Sequence, residues 1–162
     1  MQISIRKATP ADIPAIHSLV RELAIYEKAE DAFVATLAEY EQDFAEEVYD
    51  ALVAEAEGKV VGMALYYLAY STWKGRMLYL EDFVVFEQYR RYGIGQLLFD
   101  AFLEVAKHEN CRLVKWQVLD WNEPALRFYE KNEAIIEKEW WNGKIFLPAE
   151  VQKISPEAEK TY

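Results

Sequence analysis

Residues 78–98 read LYLEDFVVFEQYRRYGIGQLL, and most of the fold can be worked outward from them. An apolar strand over residues 77–86 carries two adjacent acids, Glu81 and Asp82, in its middle. It runs into an arginine-bearing glycine loop, Arg90-Arg91-Tyr92-Gly93-Ile94-Gly95, which opens directly into a helix. Ile94, Leu97, Leu98, Ala101, Phe102 and Val105 form one apolar stripe along that helix. Such a junction gathers backbone N–H groups and the positive end of a helix dipole at one spot, which suits a phosphate group. A tight turn feeding a helix would use the same glycines for backbone freedom alone. The two arginines favour the anion seat, because they give an acidic chain its local positive charge. The paired carboxylates upstream suit proton chemistry beside it.

The strand has a further irregularity. Leu78 and Leu80 share one face by period two, whereas Phe83 and Val85 fall on the other. The slip sits at Glu81-Asp82 and predicts a β-bulge, a device that re-aims side chains near active sites. A strand buried on both faces would show the same letters without one.

On either side, periodicity supplies the remaining elements. Residues 2–6 alternate as a short strand. Thr9-Pro10-Ala11-Asp12 resembles a capping box, and Ile13, Ile16, Val20 and Leu23 follow at helical spacing to about Tyr26. Thr36-x-x-Glu39 repeats the capping signal for a second helix to about Ala45. Residues 51–57 and 59–70 flank Gly58 as an antiparallel hairpin. A strand over 113–119 follows, then a helix capped by Asn122-Glu123-Pro124 to about Lys131. Residues 135–138 and 144–147 read as closing strands. The class is mixed α/β, a central sheet with helices on its faces, in one domain spanning residues 1–162 whose tail from about 148 is weakly defined.

Composition narrows the function. With 162 residues, 52% hydrophobic and 15% aromatic, the chain can bury a sizeable core. A net charge of −10 argues against nucleic acid and favours approach of a cationic ligand, although it serves solubility equally. Two histidines and one cysteine leave little for a metal site, and none is expected. His17 reads as a structural residue of the first helix, and Cys111 as filler before a strand. The N-terminal MQISIRKATPADIP shows neither the apolar run nor the cleavage site of a signal peptide, and no stretch is long enough for a membrane span. A cytoplasmic protein is expected.

The glycine loop resembles the Arg/Gln-x-x-Gly-x-Gly/Ala pyrophosphate motif of the GNAT superfamily of N-acetyltransferases. LYLEDFVVFEQYRRYGIG, together with WNEPALRFYEK at 121–131, is similar to the spermidine/spermine (diamine) N-acetyltransferase branch. The similarity extends from RKATPADIPAIHSLVRELAIYEK near the N-terminus to about Phe146. It implies a mostly antiparallel sheet with a bulge and splay at an acetyl-CoA site, and a cytoplasmic homodimer. Phe83, Val84 and Val85 would pair with the pantetheine arm, and Arg90, Arg91, Tyr92, Gly93, Ile94, Gly95 and Gln96 would hold the pyrophosphate. Asn122, Glu123, Pro124 and Ala125 would line the other side of the channel. Tyr129 matches the general acid, Glu81 the acceptor-site carboxylate, and Tyr26, Glu27, Lys115, Trp116 and Gln117 the amine-binding residues.

The chemistry asks for these types independently. An alkylammonium must lose a proton before it can attack a thioester, and Glu81 could accept it through a water. The nascent oxyanion needs an N–H, and the departing thiolate needs a proton that a phenol such as Tyr129 can give. Asp82 would orient the amine. Trp73 and Trp121 could stack on its alkyl chain or simply pack. Two positions depart from the branch: Glu133 stands where glycine is usual, and the later acidic anchor falls near Trp141, with Glu139 the nearest acid. A diamine, a polyamine or a thialysine-like amino acid therefore all remain candidate acceptors. A non-catalytic CoA-binding or polyamine-sensing module, and a protein-lysine or N-terminal acetyltransferase, are the rival readings.

Overall fold

The computed structural model describes residues 1–148. The described residues divide into two compact units, Met1–Gln117 and a second that begins at Val118.

The first unit is a five-stranded sheet in the order β1-β2-β3-β4-β5: β1 Ile3–Lys7, β2 Asp50–Ala56, β3 Lys59–Ser71, β4 Gly75–Val85 and β5 Leu113–Lys115. Neighbours from β1 to β4 are antiparallel, and β5 joins β4 in parallel. Helices α1 (Ile13–Tyr26) and α2 (Leu37–Ala45) precede β2, and α3 (Ile94–His108) connects β4 to β5. This is the mixed architecture expected from the sequence. Among the described residues no helix is long and apolar enough to cross a membrane.

Both predicted capping boxes form. Thr36 Oγ1 accepts from the Glu39 amide while Glu39 reaches back to the Thr36 amide at 2.7 Å. Asp12 does the same for Thr9 at 2.7 Å, on a 3-10 turn at Pro10–Asp12 that leads into α1. The Asp12 carboxylate also accepts two bonds from Arg6, at 2.7 and 3.0 Å, and Arg6 continues to Glu55 at 2.9 Å. One guanidinium thus ties β1, the start of α1 and β2 together.

The two sheet faces carry different helices. Met63, Leu65 and Val84 pack with Ile13, Ile16, Leu19 and Val20 of α1. On the opposite face Tyr66 meets Phe102 and Phe83 meets Phe99, both on α3. The predicted bulge is present in β4: Leu65 pairs with Asp82 and Tyr66 with Leu80, leaving Glu81 without a partner. Strand alternation resumes one residue late, so Glu81 and Asp82 both project toward the α1 face. Leu78, Leu80, Phe83 and Val85 then all face α3.

The last sheet strand is shorter than predicted. Only Leu113–Lys115 pairs, opposite Met77–Tyr79, and residues 116–119 are irregular. Beyond Tyr79 the bulge turns β4 aside, and Trp116 instead sets its ring edge-on to Phe99 at 5.7 Å. The edge of β4 from Leu80 to Val85 is therefore splayed away from β5.

In the second unit, α4 (Glu123–Lys131) starts on Asn122, whose Oδ1 accepts from the Ala125 amide at 3.3 Å. The closing strands expected at 135–138 and 144–147 do not form. Their β-branched and aromatic letters favour a strand only where a pleated, half-buried surface receives them. Here Ile135, Ile145, Phe146 and Leu147 are exposed, and two such segments alone make at best a marginal hairpin. The tail from residue 149 lies outside the described residues.

Among the described residues all four α-helices end in the same way. The second residue past each helix is left-handed (Lys28, Glu47, Asn110 and Glu133, φ 57–59°), and two backbone bonds close each end. For α4 these run from the Glu133 amide to the Glu130 carbonyl and from the Ala134 amide to the Tyr129 carbonyl. Glycine is the usual occupant of such a position, and Glu133 holds it here at φ 59°.

Candidate functional site

In the first unit the C-terminal turns of α1, the segment that follows that helix at residues 29–33 and the bulge in β4 meet around one recess. It has a volume of about 190 Å³ and is lined by Val20, Leu23, Ala24, Glu27, Ala29, Ala32, Phe33 and Asp82. Six of these residues are apolar, and the two polar ones are carboxylates. Neither carboxylate has a hydrogen bond or ion pair to a cationic side chain among the described residues. A larger groove of about 420 Å³ lies at the far edge of the sheet, beside Gln2, Ser4, Glu55, Glu57 and Gly58, and lacks apolar walls.

The electrostatics of the recess follow from that lining. Asp82 is pushed up to about 7, first by burial and then by the nearby charges of Glu81 and Glu27. Burial likewise raises Glu27. Tyr40 of α2 is held neutral by burial and by Asp82. An apolar pocket with two carboxylates that resist being charged is one that a cation would relieve. Glu81, the bulged residue, is exposed and accepts a 2.9 Å bond from the Tyr67 hydroxyl. The Tyr67 ring stacks on Tyr79 at 5.3 Å.

The loop after β4 has the shape the sequence promises. Arg91 (φ 70°) and Gly93 (φ 78°) are both left-handed, and Gly93 caps α3 without a side-chain bond. Alternating left-handed residues ahead of a helix make a concave array of N–H groups that fits a pyrophosphate. Ile94 is buried as the anchor of α3, Tyr92 is exposed, and Gln96 bonds Asp100 at 2.8 Å. Arg90 donates through Nε to the Val85 carbonyl at 2.9 Å and lies over the Tyr26 ring at 5.6 Å. Close approach of the strands here depends on Gly62, where a Cβ would meet the Val84 carbonyl and Val85 side chain at 3.1 Å.

Among the predicted residues of this unit, Tyr26, Glu27, Glu81, Asp82, Phe83–Val85 and Arg90–Gln96 thus cluster. Lys115, Trp116 and Gln117 lie at the end of β5 and just beyond, with Trp116 against α3. Trp73 is not brought to the recess: it sits 83% exposed at the β3–β4 turn, with the strand from Gly75 to Asp82, roughly 20 Å long, between them. His17 packs between Phe33 and Tyr40 with Nε2 3.0 Å from the Ala35 carbonyl, a structural position as read from the sequence. In the second unit Trp121 precedes α4, and Asn122, Glu123, Pro124 and Ala125 form its first turn. Tyr129 is buried, with its ring edge-on to Phe128 at 5.6 Å. Among the described residues no group of three His, Cys, Asp or Glu is arranged to hold a metal ion.

Sequence reasoning missed Tyr67 and the recess wall at Ala29, Ala32 and Phe33. Tyr67 had a usable signal, since adjacent Tyr66 and Tyr67 must face opposite sides and the hairpin register sets Tyr67 across from Tyr79. The wall residues fall between helices without periodicity and had none.

Comparison with known proteins agrees with this geometry. The sequence pattern of the acetyltransferase (GNAT) family matches residues 14–133. A thialysine N-epsilon-acetyltransferase of Bos taurus is 40% identical over 152 residues, covering 86% of this chain and 89% of that protein. The Homo sapiens spermidine/spermine N(1)-acetyltransferase-like protein 1 is 34% identical over 81% of this chain and 20% of its own length. In fold, an aminoglycoside acetyltransferase from an uncultured soil metagenomic sample superposes with a TM-score of 0.75 at 20% identity, over 90% of this chain and 97% of that one.

Proposed function

The chain belongs to the acetyltransferase (GNAT) family and is an N-acetyltransferase, and we propose that it transfers the acetyl group of acetyl-CoA directly to a primary amine of a small cationic acceptor, a diamine, polyamine or thialysine-like amino acid. The observation that carries the acceptor class is the recess: two unpaired carboxylates, Glu27 and Asp82, in apolar walls. Such a lining suits an ammonium on a short alkyl chain. The names of the relatives point the same way.

In this reading acetyl-CoA supplies the activated thioester. The left-handed loop 91–93 and the first turn of α3 hold its pyrophosphate, with Arg90 at the loop's entrance. Phe83, Val84 and Val85 on the splayed strand edge receive the pantetheine arm, and the family resemblance assigns Asn122, Glu123, Pro124 and Ala125 to the same cofactor. Tyr26, Glu27 and Asp82 bind the acceptor, helped by Lys115, Trp116, Gln117 and Trp121. The ammonium first gives one proton through water to Glu81, freeing the lone pair that forms the C–N bond. As the C–S bond breaks, Tyr129 gives its proton to the departing sulfur, and the second proton released from the nitrogen restores the phenol. The enzyme works as a homodimer in the cytoplasm, where a lone thiol at Cys111 is at home.

The test is release of free thiol from acetyl-CoA in the presence of polyamines, diamines and lysine analogues. Turnover on at least one amine is expected. Tight CoA binding without turnover on any of them would overturn the proposal, and sedimentation decides the dimer.

A further inference from the structure

The Arg90 guanidinium stands between two sites that the acetyl-transfer reading assigns to different substrates. Its Nε bond to the Val85 carbonyl closes a clasp over the 3-10 turn Glu87–Tyr89, at the base of the glycine loop. Its Cζ faces the ring of Tyr26, the last residue of α1. The chain has 28 acidic side chains against 18 basic ones, yet none of the carboxylates among the described residues pairs with Arg90. The side chain is spent on a carbonyl and an aromatic face. The next residue, Arg91, holds a left-handed conformation at φ 70°, so the loop's path is set by its surroundings rather than by preference.

We propose that Arg90 is a positioning residue that couples the two substrate sites, passing occupancy of the loop at 91–96 by the acyl-CoA pyrophosphate to the Tyr26–Glu27 end of α1. The inference rests on the acetyl-transfer reading, since it takes the loop as the anion seat and the helix end as the amine's. An anion on the loop N–H groups restrains the loop. The clasp to Val85 carries the restraint to the guanidinium, and the cation–ring contact carries it to the last turn of α1. Coupling of this kind is reciprocal: an amine that orders Tyr26 tightens CoA binding by the same factor. A partly exposed cation–ring contact supports a coupling of about two- to fivefold.

Backbone hydrogen exchange over residues 23–29, read with and without CoA at concentrations saturating each variant, tests it without knowledge of the amine. In the wild type CoA is expected to slow exchange there by about two- to fivefold. The slowing should vanish in Arg90→Gln and persist in Tyr26→Phe, which keeps the ring. Arg21→Gln removes a similar contact, to Phe33 at 5.9 Å, that has no link to the loop, and should leave the slowing intact. No slowing in the wild type, equal slowing in Arg90→Gln, or loss in Arg21→Gln overturns the proposal. Calorimetry separates the causes: absence of CoA binding takes down the acetyl-transfer reading as well, whereas binding without protection of 23–29 removes the coupling alone.

Discussion

Tyr67 on β3 donates its hydroxyl to Glu81 Oε2 on β4 at 2.9 Å, so the unpaired residue of the bulge is held by the neighbouring strand. Burial, then the bond to Glu81, keeps the phenol neutral and a dependable donor. Tyr67→Phe keeps the ring stacked on Tyr79 and removes only the donor. A fall in kcat of about five- to tenfold is expected, with the KM for acetyl-CoA unchanged, the net worth of about 1 kcal/mol of one solvent-exposed hydrogen bond. Steady-state kinetics check it; an unchanged kcat would mean Glu81 needs no orientation.

Asp82 makes the protein's stability depend on pH in an unusual direction. Its carboxyl, ordinarily near 3.9, is pushed up to about 7 in the folded chain by burial, Glu81 and Glu27, with Tyr40 and Tyr67 also facing it. Between pH 4 and 7 the folded chain keeps a proton that the unfolded chain has lost, so this group's destabilisation grows as pH rises and is complete above about 7. The shift bounds the cost at about 4 kcal/mol, and contact with water leaves on the order of 1–2 kcal/mol. Asp82→Asn should raise the urea midpoint at pH 8, leave it unchanged at pH 4, and weaken amine binding at pH 8. Equal gains at both pH values would refute the assignment.

Asp12 acts in the opposite sense. The Arg6 guanidinium, then the Thr9 amide and hydroxyl, hold its carboxyl down to about 2 against the cost of burial. Its contribution is complete above about pH 4 and is lost as pH falls from there through 2. Asp12→Asn should cost about 1–2 kcal/mol at pH 7, discounted for the partly exposed arginine, and nothing near pH 2. Urea titrations across that range decide it.

Glu133 ends α4 at φ 59°, a conformation that glycine adopts without penalty. Glu133→Gly should stabilise the protein by about 0.5–1 kcal/mol, whereas Glu133→Ala, with its Cβ in place, should not. Denaturant midpoints of the two variants provide the check, and a gain from alanine would point to charge rather than backbone strain.

These helix ends also explain what could be read from the letters and what could not. Starts were legible because Thr9, Asp12, Thr36 and Glu39 carry their own hydrogen-bonding chemistry. The stops at about Tyr26, Ala45 and Lys131 were legible from the end of the apolar periodicity alone, since Lys28, Glu47, Asn110 and Glu133 occupy the left-handed positions that a glycine would have marked. The bulge was legible as a break in alternation across Leu80 and Phe83. The strands expected at 135–138 and 144–147 were misread because a strand is a property of a pair, and one segment's letters do not contain its partner. The carboxylates and the glycine loop announced themselves by type and order. The donor to Glu81 and the walls at Ala29, Ala32 and Phe33 depended on register and loop path, which lie in the folded chain alone.

Taking Glu81 out of the register has a consequence for how the chain can be edited. Without that one residue, Leu78, Leu80, Phe83 and Val85 would alternate through an ordinary strand with every other side chain still on its present face. Glu81 is thus a single-residue insertion that the architecture does not require. Deleting it, rather than substituting it, would yield a chain that keeps its core and its glycine loop while losing the one carboxylate that stands outside the strand's register.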